Sequence, residues 1–258
     1  MRTNPFLILI PALILQSCIT FHQSPLSADP EENIEIGSCS ISFTGPVYMN
    51  WFGVYKSDFM PFSMKIEFDT LIVFVDPVYV DDTEKADLIF ITHRHIDHCN
   101  TPDIQKLVKE GTQIMGPEPI ARKLKDYKIN TVLVDDQVKL GRIEYEVVEA
   151  YNTRSGIHKK GSSSVGYVIS MDSVRVYIAG DTDLIPEMRE LKDIDLAVLP
   201  IGVGKTAMDP ASAAKAAKLI RPKLVVPVHY ILGSEATDQF IRHMNTEIEV
   251  RLLCAEAD

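Results

Sequence analysis

Four of the six residues in His93-Arg94-His95-Ile96-Asp97-His98 carry an imidazole or a carboxylate, and they directly follow the apolar run Leu88–Thr92. Mixed imidazole and carboxylate donors suit zinc, manganese and iron alike. His93 and His95, two apart on a near-extended backbone, project to the same side. Asp97 and His98 come after the chain has begun to turn toward a helix, so one segment can serve two neighbouring ions. A catalytic zinc takes about three protein ligands and keeps a position for water, so further donors must come from elsewhere. Asp181 in Ala179-Gly180-Asp181-Thr182 and His229 in Pro227-Val228-His229-Tyr230 each close an apolar run, and Gly180 lets the backbone turn so that Asp181 faces inward. His158 stands in a Gly-, Ser- and Lys-rich loop before Val165–Met171. The bland alternative is a solvated loop that happens to hold three histidines. Against it, all of the seven histidines except His22 and His243 lie at or near the ends of predicted strands. Those two are assigned no role.

The elements that must position these donors are short apolar runs alternating with helical patterns. Leu71–Val75, Leu88–Thr92, Thr131–Val134, Ile143–Ala150, Val165–Met171, Val174–Ala179, Leu196–Ile201, Leu224–Val228 and Ile248–Leu253 read as strands, many of them β-branched and bounded by Gly, Pro or Asp. Caps mark the helices. Asn100 or Thr101 before Pro102 starts one, and Asp209-Pro210 starts an Ala-rich helix that stops before Pro222. Leu184–Leu191 and Glu235–Met244 are the other candidates. Strands that outnumber helices spread along the chain predict an α/β fold of two facing sheets with helices outside. No internal repeat or low-complexity tract is present.

Residues next to the donors offer supporting roles. Asp76, in Phe74-Val75-Asp76-Pro77, ends a strand expected beside the motif strand, where it either orients a ligand histidine or simply forms a turn. Lys205 either contacts an anionic substrate or is solvated. The run Gly161-Ser162-Ser163-Ser164 lacks the strand-to-helix elbow that a serine nucleophile requires, and Cys99 is read as packing.

The N-terminal segment has Arg2, an apolar stretch Phe6–Leu15, and then Leu15-Gln16-Ser17-Cys18. At roughly ten residues the stretch is too short to span a bilayer and has the length of a signal-peptide apolar region. The ending resembles a bacterial lipobox, which makes 1–17 a lipoprotein-type signal peptide and Cys18 the lipid attachment site in the cell envelope. An ordinary secretory signal is the alternative. The polar segment 18–33 reads as a flexible tether and 34–258 as a single domain. With Cys18 set aside, three cysteines allow at most one disulfide, so stability must come from the core. The charge is 26 minus 36, or −10, and no basic run could track a phosphate backbone, which excludes non-specific nucleic-acid binding.

The order H-x-H-x-D-H, a loop histidine, Gly-Asp-Thr and a strand-end histidine resembles the metallo-β-lactamase superfamily. The stretches Gly166–Met188 and Leu199–Pro210 are similar to its branch containing ascorbate-6-phosphate lactonase, and the likeness runs from about Ile66 to the end. The resemblance implies a four-layer αββα sandwich with two divalent ions, zinc in the first place with manganese or iron as alternatives. It places His93, His95 and His158 on one ion and Asp97, His98 and His229 on the other, with Asp181 between them. Asp97 and Asp181 become the catalytic candidates. The expected substrate is a small ester, lactone or phosphodiester. Ile41–Ser63 departs from the branch in an aromatic-rich stretch, residues 48–62, which would favour a membrane-associated lipid phosphodiesterase if those rings were exposed. A non-catalytic metal-binding envelope lipoprotein is the reading of another class.

Overall fold

The computed structural model describes residues 19–24, 33–51, 55–81, 84–161, 163–202, 205–244 and 247–254. The signal peptide, Cys18 and most of the expected tether lie outside them. The strands are β1 (Ile19–Gln23), β2 (Ile34–Ile36), β3 (Cys39–Phe43), β4 (Val47–Trp51), β5 (Tyr55–Met60), β6 (Met64–Phe68), β7 (Leu71–Val75), β8 (Leu88–Phe90), β9 (Gln113–Gly116) and β10 (Ile129–Thr131). They continue with β11 (Gln137–Leu140), β12 (Ile143–Glu149), β13 (Val165–Met171), β14 (Val174–Ile178), β15 (Leu196–Gly202), β16 (Leu224–Ile231) and β17 (Glu249–Val250). The helices are α1 (Thr101–Leu107), α2 (Glu118–Lys123), α3 (Pro210–Ile220) and α4 (Ala236–Met244).

One sheet has the order β1-β4-β5-β16-β15-β14-β13-β12-β11, with β17 also on β16, and the other β10-β9-β8-β7-β6-β3-β2. Both are mixed: β14, β15 and β16 are parallel neighbours, as are β7, β8, β9 and β10, while hairpins supply the antiparallel pairs. The uninterrupted apolar runs have a direct cause. Leu88 and Phe90 of β8 face the core between the sheets, whereas Ile89 and Ile91 face an outer core shared with Ile104 and Leu107 of α1 and Ile120 of α2. A strand covered on both faces needs apolar side chains at every position. On the other side, α3 turns Ala213, Ala214, Ala216 and Ala217 inward, small enough to bring the helix close to its sheet. Asp209 caps α3 by accepting from Ser212 N (2.8 Å), and Arg221 ends it in the left-handed region. This is the expected four-layer αββα sandwich.

Three expectations change locally. Ile19–Gln23, read as the start of a tether, pairs antiparallel with β4 from Ile19↔Trp51 to Gln23↔Val47 and extends the first sheet. Its alternation was hidden because the edge strand carries polar Thr20, His22 and Gln23. Leu184–Leu191 yields only a single 3-10 turn at Pro186–Glu190, because Pro186 removes a donor and holds Ile185 extended. The strand expected at Thr131–Val134 lies at Ile129–Thr131, in parallel register with β9.

Candidate metal centre

All the predicted donors sit at one end of the two sheets, six of them on loops and His229 within the last residues of β16. The chain leaves β8 and turns tightly where His98 N and Cys99 N both donate to His95 O, which folds Asp97 and His98 back toward His93. Asp181 follows β14 through Gly180, whose φ of +62° favours glycine; a Cβ there would sit 3.1 Å from Val165 O and 3.2 Å from Thr92 Cβ. His229 takes φ 57° near the end of β16, and this left-handed kink leaves its ring buried among the other ligand candidates.

The seven donors form two groups, His93, His95, His158 and Asp181 in one and Asp97, His98 and His229 in the other. Within each, one ligand atom per residue lies within 4.8 Å of all the others. In the first, His95 Nδ1 lies 3.0 Å from His93 Nε2 and 3.3 Å from His158 Nε2. Asp181 stands between the groups: Oδ2 is 3.8 Å from His93 Nε2, while Oδ1 is 3.3 Å from His98 Nε2 and 3.2 Å from His229 Nε2. Asp97 Oδ2 is 3.4 Å from His229 Nε2 and, at 22% side-chain exposure, is the most open carboxylate of the centre. His22 and His243 lie outside it, on β1 and α4.

The residues fit a pair of divalent cations. His98 Nε2, His229 Nε2 and Asp181 Oδ1 are buried without a hydrogen-bond partner and face one another, an arrangement that costs free energy unless something accepts their lone pairs. Burial, reinforced by the neighbouring imidazoles, holds His93 well below the usual range, brings His95 down to about 4 and lowers His158. These rings are neutral at physiological pH and free to donate electron pairs. His98 behaves oppositely: burial disfavours its charge, but Asp181, Asp76 and Asp97 outweigh that and raise it well above the usual range. Carboxylates that hold a proton on a buried imidazole mark a position where a cation is favoured.

Two buried networks hold the rings. Asp76, fully buried at the end of β7, accepts from Thr92 N (2.8 Å), Thr92 Oγ1 (2.6 Å) and His98 Nδ1 (2.7 Å). These contacts tie the His98 ring to the end of β7, which a plain turn-former would not do. A ring that donates from Nδ1 presents the Nε2 lone pair to the centre. Asn152, which the sequence did not single out, does the same for His158: its Oδ1 is 2.9 Å from His158 Nδ1, its Nδ2 donates to Thr206 O (2.7 Å), and its backbone N donates to His158 O (2.6 Å). Just behind, buried Asp183 accepts from Thr153 N and Oγ1 and from Arg154 N, Nε and Nη2, which latches the His158 loop to the Asp181 turn. Six-residue spacing to a ligand histidine was the only sequence signal for Asn152, and it is too common to be diagnostic.

The aromatic-rich stretch also reaches the centre. Phe59 meets the His229 ring edge-on at 5.1 Å, and Phe62 lies 5.3 Å from His98 and 5.6 Å from His229. Both phenyl rings are fully buried, so they form a dry wall behind one group of donors and offer nothing to a lipid surface. Lys205 is exposed and has no hydrogen bond or ion pair to the centre among the described residues. Cys99 is buried in the outer core, where burial pushes its thiol up to about 11, consistent with packing.

Residues 69–230 match the beta-lactamase superfamily domain. A UPF0173 metal-dependent hydrolase of Thermococcus onnurineus is 37% identical over 154 residues, covering 57% of this chain and 67% of the relative. Another, of Pyrobaculum islandicum, is 35% identical over 192 residues, covering 70% and 83%. Among solved structures, a proposed metal-dependent hydrolase of Parabacteroides distasonis superposes with a TM-score of 0.69 at 35% identity, covering 81% of this chain and 94% of that one.

Proposed function

The chain belongs to the beta-lactamase superfamily domain family and is a metal-dependent hydrolase of the metallo-β-lactamase fold; from that premise we propose that it hydrolyses a small ester, lactone or phosphodiester at a two-metal centre. The observation that carries this reading is the convergence of the buried, unpartnered His98 Nε2 and His229 Nε2 on Asp181 Oδ1, whose other oxygen faces His93 of the other group. His93, His95 and His158 would hold one ion and Asp97, His98 and His229 the other, with Asp181, whose oxygens lie near both groups, as a ligand available to either. Two divalent cations there supply Lewis acidity toward a carbonyl or phosphoryl oxygen and lower the pKa of water. Asp76 and Asn152 keep His98 and His158 in the tautomer that leaves Nε2 free. Asp97, at 22% side-chain exposure the most solvent-accessible carboxylate of the centre, is held ionised by His98 and His229 and so suits a ligand role. Phe59 and Phe62 exclude water from behind His229 and His98, which strengthens every charge interaction in front of them.

Similarity of Gly166–Met188 and Leu199–Pro210 to the ascorbate-6-phosphate lactonase branch supports a lactone or phosphate ester among these substrates. Burial of Phe59 and Phe62 takes two rings of the 48–62 stretch away from any lipid surface, which weakens the lipid-phosphodiesterase reading. Lipid attachment at Cys18, outside the described residues, is supported by the Leu-x-Ser-Cys sequence and puts the enzyme in the bacterial envelope.

The test is metal analysis of protein lacking residues 1–18, which leaves β1 whole, together with ester, lactone and phosphodiester panels. Two bound ions with turnover on one class support the proposal. Two bound ions with no turnover on any class would favour a metal-holding protein instead.

A further inference from the structure

A cavity of about 920 Å³ opens beside the metal centre, between the turn that carries four of the donors and helix α2, and His95 belongs to both. That volume is within the ~300–1,000 Å³ range of small-molecule sites. The ring of His95 turns Nδ1 toward His93 and His158. Giving Nδ1 to an ion leaves the ring proton on Nε2, a hydrogen-bond donor on a side chain that is only half-buried. The lining also includes Arg94 from the turn and Arg122 and Lys123 from the end of α2. No aspartate or glutamate among the described residues lines it, in a chain whose net charge is −10. These cations are not neutralised where they stand. Arg94 is exposed, and its guanidinium makes no ion pair or hydrogen bond among the described residues. Arg122 pairs with Glu118 one turn back (2.8 Å), but both side chains are solvated, which makes the pair weak. Lys123 donates to Arg94 O (2.9 Å) and to Cys99 O, which occupies two of its three N–H groups and leaves its charge without a counterion. Burial lowers the pKa of Lys123 and the Arg94 charge adds to that, so the arrangement costs free energy that an anion between them would recover.

A second basic cavity, of about 710 Å³ at the other end of the sheets, is different in kind. It mixes Arg189, Lys192 and Lys218 with Asp193 and Asp195, and Asp195 pairs with Lys223 (2.6 Å). Its charges answer one another, whereas those beside His95 do not. We propose that the cavity between the donor turn and α2 is a substrate subsite for an oxyanion, a carboxylate or phosphate group carried away from the bond that is hydrolysed, with Arg94 and Arg122 as its specificity-determining residues. This rests on the two-metal hydrolase reading and narrows it, because the ester, lactone or phosphodiester must then carry an acidic group. A guanidinium offers paired N–H groups that match a carboxylate or a phosphate. Lys123, already fixed by two carbonyls, adds charge without having to be ordered on binding. Since His95 lines both the centre and the cavity, one small molecule can reach an ion and the arginines together.

The experiment reads binding and not turnover. Zinc-loaded protein is titrated calorimetrically with succinate, glutarate and adipate, each beside its monomethyl ester, at physiological salt. Either form offers one carboxylate to the metal pair, and only the diacid has a second for the cavity. At the chain length that spans the two, the diacid should bind about tenfold or more tighter than its ester. Arg94→Gln combined with Arg122→Gln should remove that advantage while the protein still binds two zinc ions and the ester binds as before. Lys123 is left in place because it holds the turn. Lys125→Gln, which deletes an exposed charge outside the lining, should leave the advantage intact. The phosphonocarboxylate of the same length separates the two sources: a greater advantage assigns phosphate, an equal or lesser one a carboxylate. No advantage at any length, or one that survives in the double variant, would overturn the subsite and leave the two-metal reading standing. An equal loss in Lys125→Gln would reduce the effect to a general field and overturn the subsite as well. Fewer than two zinc ions on the loaded wild type would overturn the two-metal reading and this proposal with it.

Discussion

Asp76→Asn isolates what a residue that never touches substrate contributes to the metal centre. The carboxylate accepts three hydrogen bonds, from Thr92 N, Thr92 Oγ1 and His98 Nδ1. Asparagine keeps one oxygen, which can still accept from Thr92 N, but its amide nitrogen is a donor and cannot accept from the hydroxyl and the ring. His98 Nδ1 must then become an acceptor, which moves the ring proton to Nε2 and points it at His229 and Asp181. Recovering the right tautomer forfeits a hydrogen bond to a charged group, worth about 1.5–3 kcal/mol. At about 1.4 kcal/mol per factor of ten, the affinity of the Asp97, His98 and His229 position should fall about tenfold to a hundredfold. The His93, His95 and His158 position should change little. The assay strips the protein with a chelator and titrates cobalt or zinc back against a chromophoric competitor, with near-UV circular dichroism as the check on folding. Two positions of wild-type affinity in a folded Asp76→Asn protein would refute the argument that His98 is set by this carboxylate.

Asn152→Ala should weaken the other position by about tenfold to a hundredfold, with Asn152→Asp restoring much of it because an oxygen again faces His158 Nδ1; the same titration decides, and equal loss at both positions would count against a specific link to His158. Asp181→Asn should retain one ion and lose turnover by several orders of magnitude, as read by stoichiometry beside rate; two tight ions with near-normal rate would show that Asp181 does not span the pair. Gly180→Ala forces an alanine to φ +62° with its Cβ 3.1 Å from Val165 O, so it should cost about 1–3 kcal/mol in denaturant unfolding; no change in midpoint would show that the turn has room. Acid should destabilise the metal-free protein. His93, His95 (about 4) and His158 are held below the ordinary imidazole value of about 6.5, so the unfolded chain binds more protons and stability falls as pH drops from about 6.5 toward about 4. His98, raised, contributes fully throughout that window and cannot offset the trend. A thermal midpoint of the metal-free protein that stays flat or rises over this range would contradict it.

Much of the centre is legible in the amino-acid sequence because its determinants are local. His93, His95, Asp97 and His98 announce themselves as scarce donor types crowded at the end of one apolar run, and Asp181 and His229 repeat that placement at two others. The inner strands β7, β8, β13, β15 and β16 are equally visible, since strands covered on both faces must be apolar throughout. Asp76 could be placed beside the motif strand, but its grip on His98 depends on the parallel register of β7 with β8. Asn152 was invisible, because its role exists only when the loop closes on His158 and Thr206. Whether Phe59 and Phe62 face solvent or core is open in the sequence, and it is the pairing of β5 with β16 that turns their rings onto His229 and His98. The short edge strand β1 looked like tether for a related reason: polar Thr20, His22 and Gln23 suit a linker as well as a sheet edge, and only pairing with β4 makes them part of the sheet. Side-chain type and strand-end position belong to the local chain, whereas partners, tautomers and dry walls arise from segments brought together over long sequence separations, which local periodicity cannot encode.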